Sequence, residues 1–210
     1  MKIAYTFKSV CSSLMLLIAV LGCNTVCPPS PKEKIYSDYQ SYMEEALQYC
    51  KSRNLNTSFF FLADLSVHSG IKRLYLCDFS EKKIAERYMV SHGCGSHFWK
   101  MDNSRENAEI SNEPESHCSS VGKYIIGNKG VSEWGIKINY QLAGMDKTNS
   151  NASKRNIVLH SWNAVPENEV YPDGVPEGWG CPAVSNHSLK KMIKNIESEE
   201  KRTLLWLIRS

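Results

Sequence analysis

Apolar residues recur at two different periods along this chain. From Tyr36 to Arg53 they return at steps of three and four, with Tyr39, Met43, Ala46, Leu47 and Cys50 on one side of the pattern. That period predicts an amphipathic helix, with Ser37 suited to cap its start and Asn54 to stop it. After Thr57 the pattern changes to short, strongly apolar runs. SFFFLADLSV and RLYLCDF read as buried strands joined by a turn at His68-Ser69-Gly70. Asp78 to Lys83 turns the chain into a third run, IAERYMVSHG, and Lys123 to Asn128 supplies another. In WGIKINYQLAG, Ile136, Ile138, Tyr140 and Leu142 alternate with polar residues, which predicts a strand with one wet face. NIVLH, CPAV and TLLWLI complete the series. Helical spacing returns once, where Leu189, Met192, Ile193 and Ile196 follow a cap at Asn186 or Ser188. The whole predicts a mainly β domain, a β-sandwich or open barrel with an N-terminal helix and one helix in its C-terminal half. The stretch from Gly95 to Ser120 is polar and irregular, and a loop of that length is more often functional than inert.

Composition narrows this little. The 210 residues are 42% hydrophobic, enough for one well-packed domain. The formal net charge is +3 and the isoelectric point is about 8.3. Lys2 and Lys8 carry part of that charge, so the remainder is close to neutral and no nucleic-acid partner is expected. The lysines from Lys190 to Lys194 are interrupted by Met192 and Ile193, as on the solvated side of a helix.

The first residues say more. Lys2 and Lys8 precede the apolar run Leu14 to Leu21 and the small residue Gly22, the order of a secretory signal. The run is too short for a comfortable membrane span. Val20-Leu21-Gly22-Cys23 is similar to a bacterial lipobox, which predicts a diacylglycerol anchor on Cys23. The predicted organisation is a signal peptide over 1–22, a lipid-anchored, proline-rich linker over 23–34, the N-terminal helix within 35–56 and the main domain over 57–210. The expected location is the bacterial envelope, in the periplasm and tied to a membrane through the lipidated N-terminus. An oxidising envelope permits disulfides. Cys94 and Cys118, both in turn-rich segments, are a candidate pair, and Cys77 in RLYLCDF reads as a buried strand thiol.

Candidate chemistry concentrates between Arg155 and Ser185, in RNIVLHSW and GWGCPAVS. His160 ends an apolar run, and Cys181 stands between Gly180 and Pro182. A thiolate attacks carbonyls well, and an imidazole can take its proton and later return it. A lone strand cysteine is ordinarily a small buried hydrophobe; the Gly-Cys-Pro setting and the partner NIVLH reverse that reading. His92, Cys94 and His97 form an H-x-C-x-x-H spacing that matches no common zinc pattern, so no metal or cofactor is expected. Arg155 precedes a buried strand and is suited either to a substrate carboxylate or to a structural ion pair. Trp134, Trp162 and Trp179 are candidates for the walls of a groove or for core. Asp64 and Asp78 end strands and read as turn groups.

These motifs give the chain a specific likeness. FFLADLSVHSGIKRLYLCDF, VSHGCGSH, ISNEPESHCSSVGKY, LAGMDKTNSNASKRNIVLHSW and GWGCPAVS occur in the order seen in the L,D-transpeptidase family, the YkuD-type enzymes of peptidoglycan. The closer resemblance is to the murein L,D-transpeptidase catalytic domain, and it extends from about Ser58 to Arg209. The resemblance implies that Cys181 is the nucleophile and His160 its base, with Gly180 at the oxyanion site and the Ser161 carbonyl orienting the imidazole. It places His92 and Gly93 beside the cleft, with Trp179 and Arg155 as further substrate-binding residues. Peptidoglycan stem peptides would be the substrate, cut at the L–D bond before the terminal D-alanine. The acyl group would pass to an amine in a 3–3 cross-link, or to water in an L,D-carboxypeptidase. Carbapenem-type β-lactams would acylate the same cysteine. A peptidoglycan-binding lipoprotein without chemistry is the rival class. The chain departs from the wider family at Gly178, where a serine is usual, at Trp179, where a histidine is usual, and at Pro182-Ala183-Val184 after the cysteine.

Overall fold

The computed structural model describes residues 39–97 and 108–209. The predicted signal, lipid anchor at Cys23, linker and cap at Ser37 lie outside the described residues. The first helix, α1 (Gln40–Ser52), follows the expected period, with Met43, Ala46 and Cys50 buried. Eight strands follow: β1 (Phe59–Asp64), β2 (Leu74–Asp78), β3 (Lys83–Tyr88), β4 (Gly122–Val131), β5 (Ile138–Gly144), β6 (Val158–Ser161), β7 (Ala183–Val184) and β8 (Leu204–Ile208). The second helix, α2 (Asn186–Glu197), lies between β7 and β8. Its cap is Ser185, whose side chain accepts from the Ser188 N–H. The expected cap at Asn186 or Ser188 is therefore one to three residues late, because Ser185 keeps an extended backbone that frees its hydroxyl for the first turn.

All eight strands form one sheet in the order β3-β2-β1-β8-β4-β5-β6-β7. Neighbours are antiparallel except β1 with β8 and β6 with β7. The sheet nearly closes on itself. The chain leaving β3 returns to the far edge, where Ser91 N–H donates to the Ala183 carbonyl at 2.9 Å. Met89, Ala183, Val165 and Val175 pack together at that seam. The architecture is mainly β, a barrel-like sheet with two helices.

Alternation along the strands explains the layers. In β1, Phe59, Phe61 and Ala63 enter the large core with Leu205 and Leu207 of β8 and Leu189 and Met192 of α2. Phe60 and Leu62 point the other way, onto α1, with Tyr75, Cys77, Leu204 and Trp206. A strand covered on both faces has no polar side, so its sequence is a continuous apolar run. In β5, Tyr140 and Leu142 are buried and Gln141 is exposed, the wet face that the alternation predicted. Cys77 is fully buried in β2. Asp64 accepts from Tyr39, from the Ser66 N–H and from the Ser66 hydroxyl, and Asp78 accepts from Ser80 and the Glu81 N–H. Both are turn groups. No helix among the described residues is long and apolar enough to cross a membrane.

Candidate active site

β6 and β7 run side by side in parallel, with His160 level with Ala183 and Ser161 level with Val184. That register brings the two motifs together, although twenty residues separate His160 from Cys181. Cys181 lies just before β7, and its sulfur accepts from the Val158 N–H at 3.4 Å. The thiol itself is 3.8 Å from the Asn156 carbonyl. Cys181 is half-buried and is not in a disulfide.

His160 sits two residues beyond Val158 on the same strand. Its Nδ1 lies 3.0 Å from the Ser161 carbonyl oxygen. A carbonyl only accepts, so Nδ1 carries the hydrogen and Nε2 keeps a free lone pair. Burial lowers the pKa of this imidazole from its ordinary value of 6.5, partly offset by that carbonyl. Burial raises the Cys181 thiol, opposed by the Val158 N–H and by Arg155. Both shifts favour the neutral forms, a thiol and an unprotonated imidazole. No hydrogen bond joins the two, since the sulfur is held at Val158 rather than at the ring.

Gly180 shapes the turn before the cysteine. Its φ is +98°, and a Cβ there would lie 2.4 Å from the Cys118 carbonyl oxygen and 2.9 Å from Arg155 Nη2. Backbone sign and space both demand glycine. Among the described residues, the N–H groups of Gly180 and Cys181 make no hydrogen bond. Two adjacent open donors beside a thiol are what an oxyanion requires. Gly178 is different: a Cβ there would meet nothing within 4 Å.

The turn is held from behind. Gly178 N–H donates to the His92 carbonyl, and Cys94 N–H donates to the Gly178 carbonyl, both at 2.8 Å. The Ser119 hydroxyl accepts from the Gly93 N–H and donates to the Gly180 carbonyl. Below lies a buried chain of charge. Arg73 Nη2 is 2.7 Å from His92 Nδ1, and His92 Nε2 is 3.2 Å from Glu177 Oε1. Arginine only donates, so His92 is the Nε2–H tautomer and neutral, linking a cation to a carboxylate. Desolvation lowers the Arg73 pKa to about 10, which leaves the guanidinium charged at neutral pH.

Four of the sequence expectations fall on residues of this arrangement. His92 is fully buried with both ring nitrogens engaged, behind the turn. Gly93 is buried too, and a Cβ on it would lie 2.1 Å from the His117 carbonyl; its role is close packing. Arg155 donates to the carbonyls of Ser111 and Cys118 and to the Ser120 hydroxyl, which occupies it within the protein. Cys94 and Cys118 are free thiols, each turned to a backbone carbonyl of its own segment, Gly95 and Ser116 respectively. Trp179, by contrast, is 56% exposed beside the turn, with its ring 5.2 Å from that of His117. Trp134 and Trp162 pack edge to face at 6.1 Å. Reading the sequence alone missed Arg73, Glu177, Ser119 and Ser120. Arg73 had a signal, a charge at the head of an apolar strand; Glu177 and the two serines had none.

Residues 32–205 match the L,D-transpeptidase catalytic domain family (YkuD_2), and the chain belongs to that family. Membership makes this an L,D-transpeptidase-family enzyme domain, for which peptidoglycan is the implied substrate. Among solved structures, the chain is similar to an L,D-transpeptidase from Xylanimonas cellulosilytica, with 10% identity and a TM-score of 0.42, covering 77% of this chain and 68% of that one. It is also similar to the helical cell shape determining protein Pgp2 from Campylobacter jejuni, with 12% identity and a TM-score of 0.44, covering 81% of this chain and 56% of that one. No curated protein matches the chain.

Proposed function

We propose that the chain is a cell-wall acyltransferase with Cys181 as nucleophile and His160 as general base. The observation that carries this reading is the sulfur fastened to β6 beside two open N–H groups, on the strand that presents an oriented imidazole. The substrate is a peptidoglycan tetrapeptide stem. His160 Nε2 takes the thiol proton as sulfur bonds to the carbonyl carbon of the third residue, a diamino acid reacting at its L-centre. The oxyanion is received by the N–H groups of Gly180 and Cys181; one such donor is worth roughly a hundredfold or more in rate. The C–N bond then breaks, His160 returns the proton to the departing amine, and D-alanine leaves. An amine of a second stem attacks the thioester, the C–S bond breaks, and a 3–3 cross-link forms as the thiol is restored. Catalytic hydrogen bonds commonly tighten only with substrate bound, so a movement of the Cys181 side chain toward Nε2 belongs to the first step.

The reading places the enzyme in the bacterial envelope, with 1–22 as an export signal and Cys23 as its lipid anchor; the N-terminal residue pattern supports both. Carbapenem-type β-lactams, which carry a strained carbonyl, would acylate the same sulfur. Purified protein incubated with tetrapeptide muropeptides, with and without an acceptor stem, tests the function by mass analysis. Transfer predicts a 3–3 dimer and free D-alanine. D-alanine without dimer would make the protein an L,D-carboxypeptidase, and neither product would leave a binding protein.

A further inference from the structure

We propose that Arg155 is a positioning residue for Cys181: its guanidinium locks the 111–120 segment against the turn that carries the nucleophile and holds a positive charge beside the sulfur. The inference rests on Cys181 being the reacting thiol.

The geometry is specific. Arg155 Nη1 donates to the Ser111 carbonyl at 3.0 Å and to the Ser120 hydroxyl at 2.6 Å. Its Nη2 donates to the Cys118 carbonyl. Ser111 and Cys118 flank the small parallel bridge between Ile110 and Ser119, so one planar fork closes both arms of that loop. The same Nη2 and the same Cys118 oxygen are the atoms closest to the missing side chain of Gly180, at 2.9 and 2.4 Å from where its Cβ would stand. Cation, carbonyl and nucleophile turn are therefore in direct contact. The left-handed backbone of Gly180 follows the surface that Arg155 and Cys118 present. Lysine offers a point charge and no fork, so it cannot make this set of bonds.

The charge has a second consequence. Facing the sulfur are the Val158 N–H and Asn156 carbonyl from the β6 side, Tyr124 from β4, His160 further along β6, and Arg155. Tyr124 is pushed up to about 12 by burial and donates to the Ser120 carbonyl, so it is neutral. His160 is neutral by its own burial. Among the described residues acting on the thiol, Arg155 is the one with a full charge at neutral pH. An adjacent cation favours a thiolate.

The test is the pH dependence of Cys181 alkylation by iodoacetamide in the full chain, read as the mass gain of the peptide that contains it. Arg155→Gln keeps hydrogen-bond donors and removes the charge. Its midpoint should move to higher pH, with modification at pH 7 slowed on the order of tenfold and rates converging in alkali. Arg155→Lys should hold the midpoint near that of the parent while losing part of the loop's thermal stability. A glutamine variant that folds and keeps the parent midpoint overturns the proposal. If that variant does not fold, Ser120→Asp sets a carboxylate against Nη1 and neutralises the cation in place. It should raise the midpoint, and an unmoved midpoint overturns the proposal equally. Alkylation needs no turnover, so a misassigned nucleophile would appear separately, as undiminished product from Cys181→Ala.

Discussion

The Val158 N–H donates to the Cys181 sulfur at 3.4 Å, and Val158 stands two residues before His160 on the same strand. The thiol is thus fixed to the backbone of the element that carries His160. Its reactivity is set by a few neighbours: burial that favours the neutral thiol, and an N–H and a guanidinium that favour the thiolate.

With His160 as the general base, its environment predicts where the acid limb falls. Burial lowers this imidazole below 6.5, so it stays an unprotonated base further into acid than an ordinary histidine. The acid limb of kcat/KM should lie below pH 6.5. His160→Gln should cost about 10²- to 10⁴-fold and remove that limb. A limb at or above the ordinary imidazole value would contradict the assignment. Stability follows the same sign: the folded state binds fewer protons at this site, so stability is full above 6.5 and declines as pH falls toward the folded pKa.

Gly180→Ala should fold poorly around the turn or lose activity. Its Cβ would strike the Cys118 carbonyl and the Arg155 guanidinium, and φ is +98°. Displacing the two open N–H groups predicts a fall in kcat/KM of roughly a hundredfold or more. Steady-state kinetics beside a thermal melt separates the two effects, and parent-like values in both would refute the described turn.

Gly178→Ser should behave in the opposite way. A Cβ at that position meets nothing within 4 Å. Stability should stay within about 0.5 kcal/mol of the parent, measured by chemical denaturation. A larger loss would mean that Gly178 is needed for its backbone.

The chain of Arg73, His92 and Glu177 is structural support under charge. Glu177→Ala removes the buried carboxylate that faces His92 Nε2, and leaving a buried donor unsatisfied costs about 1–3 kcal/mol. Urea titration should show that loss. A change under about 1 kcal/mol would show that the carboxylate does not hold His92.

How much of this could be read from residues alone depends on the kind of information involved. β1 and β8 were legible because strands buried on both faces leave continuous apolar runs, and β5 because its one wet face leaves an alternation. α1 and α2 were legible from their period; the α2 cap was misplaced because Ser185, Asn186 and Ser188 are all plausible caps, and backbone angle decides among them. Pairing of His160 with Cys181 was suggested by motif context, and the parallel register of β6 and β7 brings the two segments into one part of the sheet. His92, Gly93 and Arg155 lie around this turn, and their contacts within the protein left no mark in the sequence. A buried ion pair and an exposed ligand-binding pair use the same residue types, and only burial separates them. Ser119 and Ser120 lie in a polar loop whose sequence carries no sign of which hydroxyl turns inward.

The central claim is that the sulfur of Cys181 becomes covalently acylated. Intact-mass and peptide mapping of the protein after exposure to a carbapenem measures this directly. The account predicts a single adduct on the peptide containing Cys181, absent from Cys181→Ala and slowed in His160→Gln. An unmodified Cys181, or an adduct on Cys94 or Cys118 instead, would contradict it.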